Sequence, residues 1–383
     1  MKPDFLTEAK RLSADICRVR ASIHRFPELG NREFKTAETV EAFLHDCGIE
    51  TVRLCETAVM GILHGAGGGK TVALRADMDA LPICEQTGAD FASETNGVMH
   101  ACGHDVHTAA LLGAAKLLSL YRERFCGEVR FLFEPDEEGS GGAERMIAAG
   151  ALQGVNAVFG AHVSPELPAG KVGVRFGKFY AASDVFTVTV HGKSAHGAEP
   201  EKGIDALSAA AQMIPHLKAL PETRGGDRAV LSVGSFHAGT AGNIIADKAE
   251  FSGIIRTLGR ENRAAMKDAF RKTVHDIAKK CGATAEILLC ESYGGVVNAD
   301  AETEFVRRAA VDCLGADAVC ILDKPTMTTE DFGCFLDVVP GSFYHIGAGC
   351  TAPLHSQAFL PSDDALLTAA ALHAAVAYAF LTE

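Results

Sequence analysis

The distribution of short apolar runs limits this chain more than any other feature. In its first part, such runs at 71–75, 129–133 and 157–161 are separated by helical stretches at 107–120 and 142–149. Short, mostly apolar runs without strict alternation, with helices between them, predict strands buried on both faces of a parallel or mixed sheet in an α/β sandwich. Two further helices are predicted over 6–24 and 36–47, the second closed by Gly48 as its C-cap. From about Lys178 the pattern changes. Strand-like runs at 184–191, 230–237, 248–258 and 284–290 interleave with helices at 203–219 and 261–280. The order is βαββαβ, that of a ferredoxin-like unit. The first style then resumes at 301–314, 330–336 and 343–347. An α/β domain over 1–178 and 293–383, interrupted by a smaller domain over 179–292, accounts for both patterns.

The chain has 383 residues and a formal charge of −13. Without a basic cluster, that charge excludes nucleic acid as a partner, because phosphates would be repelled. The longest apolar run, 365–381, is mostly alanine and is interrupted by Thr368 and His373. With Ser362 as N-cap and Asp363 and Asp364 in its first turn, it predicts a packed helix rather than a membrane span. Residues 1–10 lack the basic-then-apolar pattern of an export signal, and the 12 cysteines show no paired spacing. Both features predict reduced thiols in a cytoplasmic protein. Residues 65–71 read GAGGGKT, which resembles a phosphate-binding loop. That loop needs a glycine where His64 stands and a helix after Lys70, so a strand connection is predicted instead.

Four places could carry chemistry. Cys102 and His104 flank one glycine, so a thiolate and an imidazole can turn toward one ion. The alternative is a buried cysteine beside a helix-capping His104–Asp105 pair. The strand at 129–133 delivers Glu134, Asp136, Glu137 and Glu138 onto a glycine-rich loop before a helix. An acidic run is often only a solvated turn, but α/β folds place their sites at such strand ends, and like charges this close call for a cation. Glu137 and Glu138 are adjacent and point in different directions. One can ligate a metal while the other handles the proton of an activated water. His162 closes the strand that starts at Ala157, and His355 lies on a loop after Gly349; singly, either reads equally well as a structural histidine. Together, Cys102, His104, Glu138, His162 and His355 converge on strand ends and loops, as ligands of two shared metal ions would.

The chain resembles the amidohydrolase branch of the aminoacylase-type metallopeptidases, which includes hippurate hydrolases, auxin–amino-acid conjugate hydrolases and N-acetyl-diaminopimelate deacetylases. The resemblance runs from Arg25-Phe26-Pro27-Glu28-Leu29 to the C-terminal helix. It is carried by RADMDALP at 75–82, MHACGHD at 99–105, Glu-Glu-Gly at 137–139, His196-Gly197-Ala198, GTAGN at 239–243, Glu330-Asp331-Phe332 and His355-Ser356. It implies two divalent ions (zinc, manganese, cobalt or nickel) on Cys102, His104, Glu138, His162 and His355, with Glu137 as general base. It implies that the inserted unit is a lid that also makes a homodimer, from which His196 reaches the other subunit's site to polarise the scissile carbonyl. Asn243 and Arg256 would hold the substrate carboxylate, and Asp79 would support the metal ligands. The implied reaction is hydrolysis of the amide bond of an N-acyl amino acid or a short peptide. Glu134 stands where the pattern has Gln, Asp136 where it has a small residue, Glu201 where it has His, and Gln357 where it has Pro. Two rival readings are a cysteine hydrolase with Cys102 as nucleophile and His104 as base, and a non-catalytic dimeric binding protein.

Overall fold

The computed structural model describes residues 2–223 and 228–383. The chain forms two compact units, one of residues 1–177, 297–324 and 331–383, the other of 178–296 and 325–330.

The first unit is built on an eight-stranded sheet. From edge to edge its strands are Glu50–Arg53, Val59–His64, Glu128–Glu134, Thr71–Asp77, Ala157–Ser164, Gly341–Gly347, Val172–Val174 and Val319–Ile321. Glu128–Glu134, Thr71–Asp77, Ala157–Ser164 and Gly341–Gly347 are mutually parallel neighbours. Ala157–Ser164 is buried at every residue, which is why its sequence shows no alternation. The connection reading GAGGGKT joins two strands and opens no helix. Its Gly69 lies against the backbone of Cys126 and Gly127, where a Cβ would sit 2.9 Å from the Gly127 nitrogen.

Helices His104–Ser119 and Asp363–Thr382 pack on each other and on the Thr71–Asp77 and Ala157–Ser164 strands. Asp363–Thr382 is apolar on all sides and buried throughout 365–379, as a helix enclosed by a core must be. It is long and apolar enough to cross a membrane, yet here it is the centre of the unit. Its small residues permit close approach. A Cβ on Gly113 would lie 3.0 Å from that of Ala370. Ser362 caps the helix, its hydroxyl accepting the Ala365 N–H at 3.3 Å.

The helix predicted over 6–24 is two, Phe5–Arg11 and Ser13–Arg25. The bend at Leu12 keeps its hydrogen bonds, with Leu12 N–H to Glu8 O at 3.0 Å and Ile16 N–H to Leu12 O at 3.2 Å. No proline or glycine marks it, so periodicity alone could not reveal it. The helix Phe34–Asp46 ends as predicted at Gly48, whose φ is +64°. Beyond it, the Ile49 N–H reaches back to Leu44 O at 3.0 Å and satisfies a terminal carbonyl.

The second unit has one four-stranded antiparallel sheet, ordered Ala229–Ala238, Lys248–Thr257, Ala182–His191, Thr284–Glu291. Phe186, Val188 and Val190 alternate inward from the central strand. They meet Met213 and Leu217 of helix Ala206–Thr223 and Met266, Phe270 and Val274 of helix Arg260–Lys280 in a separate core. One covered face explains the period of two that set this segment apart.

Candidate metal centre

The first unit brings the five expected ligands and the expected base together. The parallel strands Thr71–Asp77, Glu128–Glu134 and Ala157–Ser164 end toward the same edge of the sheet. They deliver Asp77 and Asp79, the Glu134–Glu138 loop and His162 there. Helix His104–Ser119 begins at the site behind Gly103, whose φ is +89°. His355 arrives on a loop with φ +61°, its N–H held by Ala101 O at 2.8 Å. The groups Cys102/His104/His162, Cys102/Glu138/His355 and His104/Glu137/Glu138 each have candidate ligand atoms within 4.8 Å of one another. Shared members join these groups into one cluster.

Local bonds hold the candidate ligands. His104 Nδ1 lies 2.9 Å from the Asp79 carbonyl and 3.1 Å from its carboxylate, which leaves Nε2 buried without a hydrogen bond. Burial opposes charge on that imidazole, but Asp77 and Asp79 outweigh it and push its pKa up to about 10. Asp79 also accepts the Glu138 N–H at 3.0 Å, so one carboxylate orients two neighbours. His162 Nδ1 donates to the Val163 carbonyl at 2.7 Å, and Nε2 lies 3.3 Å from Cys102 Sγ. Burial holds His162 well below its ordinary pKa, in the neutral form that offers a lone pair. Burial, with Glu138 and Glu137 alongside, pushes the Cys102 thiol well above its usual value. His355 Nε2 is 2.9 Å from Glu138 Oε1. That contact raises the pKa of His355, and despite burial Glu138 is lowered by His355 and His104.

These residues fit two divalent cations. The donors are sulfur, imidazole and carboxylate, the mixture borderline metals take. A buried imidazole nitrogen without a hydrogen bond, and a thiol that burial and two carboxylates keep protonated, mark a pocket whose negative field such ions would neutralise.

Some supporting residues escaped the sequence reading. His107 is fully engaged, with Nδ1 2.6 Å from Asp77 Oδ1 and Nε2 accepting the Val163 N–H at 2.9 Å. The spacing of His104 and His107, three apart on one helical face, was the available signal. Buried Arg75 holds Asp77 at 2.7 Å, Glu134 at 2.5 Å and Asp331 at 2.9 Å. Burial alone would raise Asp77, but His104, His107 and Arg75 hold it well below the carboxylate range. Burial and Asp331 outweigh Arg75 at Glu134 and push its carboxyl well above the usual value. The neutral acid so favoured mimics glutamine, which is how a glutamate can stand in this place. Gln357 contributes its carbonyl, accepting the Gln86 N–H at 2.8 Å.

Glu33 is buried beneath the acidic loop. It accepts the N–H groups of Asn31 and Asp136, each at 3.0 Å, and the Thr57 hydroxyl at 2.8 Å. Burial pushes its pKa up to about 7 despite these donors. Because the folded value lies above the unfolded one, its contribution to stability is complete below about pH 4.5 and is lost as pH rises through 7. Between pH 5 and 8 this group should reduce stability by about 3 kcal/mol. Denaturant unfolding across that range should show the decline, and Glu33→Gln should flatten it. An unchanged slope in the variant would count against the assignment.

In the second unit, exposed His196 pairs with Ile244 in a short ribbon, and the Gly197 N–H donates to Asn243 O at 2.8 Å. His196 and Asn243 therefore share one small structure. Arg256 lies in the Lys248–Thr257 strand with Nη1 free of hydrogen bonds. Glu201 sits in the single turn Pro200–Lys202.

Residues 73–379 match the model of peptidase family M20/M25/M40. Thermostable carboxypeptidase 1 of Saccharolobus solfataricus is 39% identical over 379 residues, 95% of each chain. The N-acetylcysteine deacetylase of Bacillus subtilis is 36% identical over 372 residues, 96% of this chain and 97% of the relative. A Bacillus subtilis crystal structure described as a dinuclear metal-binding peptidase of the M20 family superposes with a TM-score of 0.89. It is 35% identical and covers 97% of this chain and 99% of its own.

Proposed function

Because the chain belongs to peptidase family M20/M25/M40, we propose that it is a dinuclear metal-dependent amidohydrolase that releases a carboxylate and a free amino acid from an N-acyl amino acid. The observation that carries this reading is the cluster itself. Cys102, His104, Glu137, Glu138, His162 and His355 come from four segments, yet they fall into overlapping groups whose candidate ligand atoms lie within 4.8 Å of one another. Relatives named as a deacetylase of N-acetylcysteine and as a carboxypeptidase both act at an amide beside an amino acid, which supports the substrate class.

When bound, two divalent ions supply an activated water and polarise the scissile carbonyl. Cys102, His104, Glu138, His162 and His355 hold them, and Asp79 and His107 keep that shell in place. Glu137 accepts the proton of the water and returns it to the leaving amine. The second unit is read as a ferredoxin-like lid that also dimerises, so that His196 of the partner subunit stabilises the developing oxyanion. Asn243 and Arg256 receive the substrate carboxylate; a guanidinium nitrogen without a hydrogen bond supports that role. Free thiols on all the cysteines support a cytoplasmic setting.

A screen of N-acetyl, benzoyl and indole-acyl amino acids against dipeptides, with zinc, manganese, cobalt and nickel in turn, tests the activity. Turnover of peptides alone would favour the carboxypeptidase-like reading. His196→Ala should lower kcat by on the order of 10²-fold, as loss of an oxyanion donor does. Mixing it with a Glu137→Gln chain should restore one competent site per heterodimer, and no recovery on mixing would overturn the role of the partner's His196.

A further inference from the structure

The loop that carries Glu137 and Glu138 is gripped by a carboxylate that the reaction does not use. Asp136 has φ +60°, a left-handed conformation that aspartate tolerates because its short side chain bonds locally. Its Oδ2 accepts from Asn31 Nδ2 at 2.6 Å, from the Ser140 N–H at 3.0 Å and from the Ser140 hydroxyl. Arg145 Nη2 lies 3.6 Å from the same oxygen, and Arg145 Nη1 donates to Asn31 Oδ1 at 2.5 Å. On the backbone side, the Asp136 N–H and the Asn31 N–H share Glu33 Oε1. A Cβ on Gly30 would fall 1.9 Å from Asp136 Oδ1, and one on Gly139 2.2 Å from it. The carboxylate is therefore boxed between two glycines, and Asp136 as a whole is only 6% exposed.

We infer that Asp136 and Asn31 form a clamp that ties the loop to segment 29–33 and so sets the aim of Glu137 and Glu138. This rests on the amidohydrolase reading above, and both are positioning residues. The reason is geometric. Asp136 immediately precedes the base, so moving it from the left-handed to the right-handed region swings the next peptide and carries Glu137 with it. Displacement on the order of 1 Å costs about 10²-fold in rate, and loss of a group that orients a ligand costs roughly 10–100-fold in metal affinity or activity.

The test uses full-length protein and two independent readouts. Calorimetric titration of metal-depleted protein with Mn²⁺ reports on Glu138. Steady-state kinetics of the Mn²⁺-loaded enzyme on the best N-acyl amino acid report on Glu137. Asp136→Ala and Asn31→Ala should each weaken Mn²⁺ binding about tenfold or more. They should also lower kcat more than tenfold, with KM changed by less than about threefold. Asp136→Asn keeps the left-handed preference and an acceptor for Ser140, so it should recover most of both. Variants with a lower thermal midpoint but wild-type Mn²⁺ affinity and kcat would overturn the clamp and leave Asp136 a structural residue. If Asp136→Ala does not fold, Asn31→Ala decides the matter on the same two readouts. Weakened Mn²⁺ binding in a protein that hydrolyses no N-acyl amino acid would sustain the clamp and sink the functional reading instead.

Discussion

Glu137→Gln is expected to reduce kcat by on the order of 10²–10⁴-fold, the usual contribution of a positioned base, while both metal ions remain bound. Glu137 is buried, 6% exposed, and lies with His104 and Glu138 in one ligand group. The amide keeps the size and a carbonyl acceptor but cannot take a proton from water. The proposed ligands Cys102, His104, Glu138, His162 and His355 are untouched by the change. Metal content measured by elemental analysis should therefore match the parent protein while turnover disappears. Loss of the ions together with the activity would show that Glu137 is a ligand rather than the base.

Removing the metals should abolish hydrolysis and also loosen the fold around the site. Glu137, Glu138, Asp77 and Asp79 share a small volume with a thiol and several imidazoles, and the cations balance that charge. Binding to the folded state alone adds about 4 kcal/mol of stability when free ion exceeds Kd by on the order of 1,000-fold. A chelator should thus lower the thermal midpoint by several degrees, an estimate from the size scaling of unfolding, and added divalent ion should restore both properties. Affinity should weaken as pH falls, because burial and the neighbouring carboxylates keep the Cys102 thiol protonated and the proton must leave on binding. An enzyme with Cys102 as its nucleophile would keep its activity in chelator.

The meeting of the candidate ligands was legible in the sequence for a physical reason. Glu138 follows the strand Glu128–Glu134, His162 lies near the end of Ala157–Ser164, Cys102 and His104 stand at the start of a helix, and His355 lies on the loop after Gly341–Gly347. The support around them was not legible, because it depends on pairs that meet only in the folded chain. Arg75 joins Glu134 and Asp331 across 59 and 256 positions, and Glu33 reaches Asp136 across 103. Glu134 illustrates the limit well. Its acidic composition suggested a more charged loop, whereas burial beside Asp331 favours a neutral acid. Asp136 stands where the pattern has a small residue, and only its φ, its bond to Asn31 and the glycines packed on it show what it contacts.

The place of the Gly341–Gly347 strand has a consequence for how the molecule matures. It lies between Ala157–Ser164 and Val172–Val174, inside a sheet whose other strands are translated earlier. All four strands of the second unit's main sheet leave the ribosome before it and can close on themselves. The first unit keeps an open slot until that strand emerges, and it lacks its central helix until Asp363–Thr382 follows. His355 lies between the two. A nascent chain therefore holds the other proposed ligands before His355, and the site closes only after that loop and the helix behind it have been made.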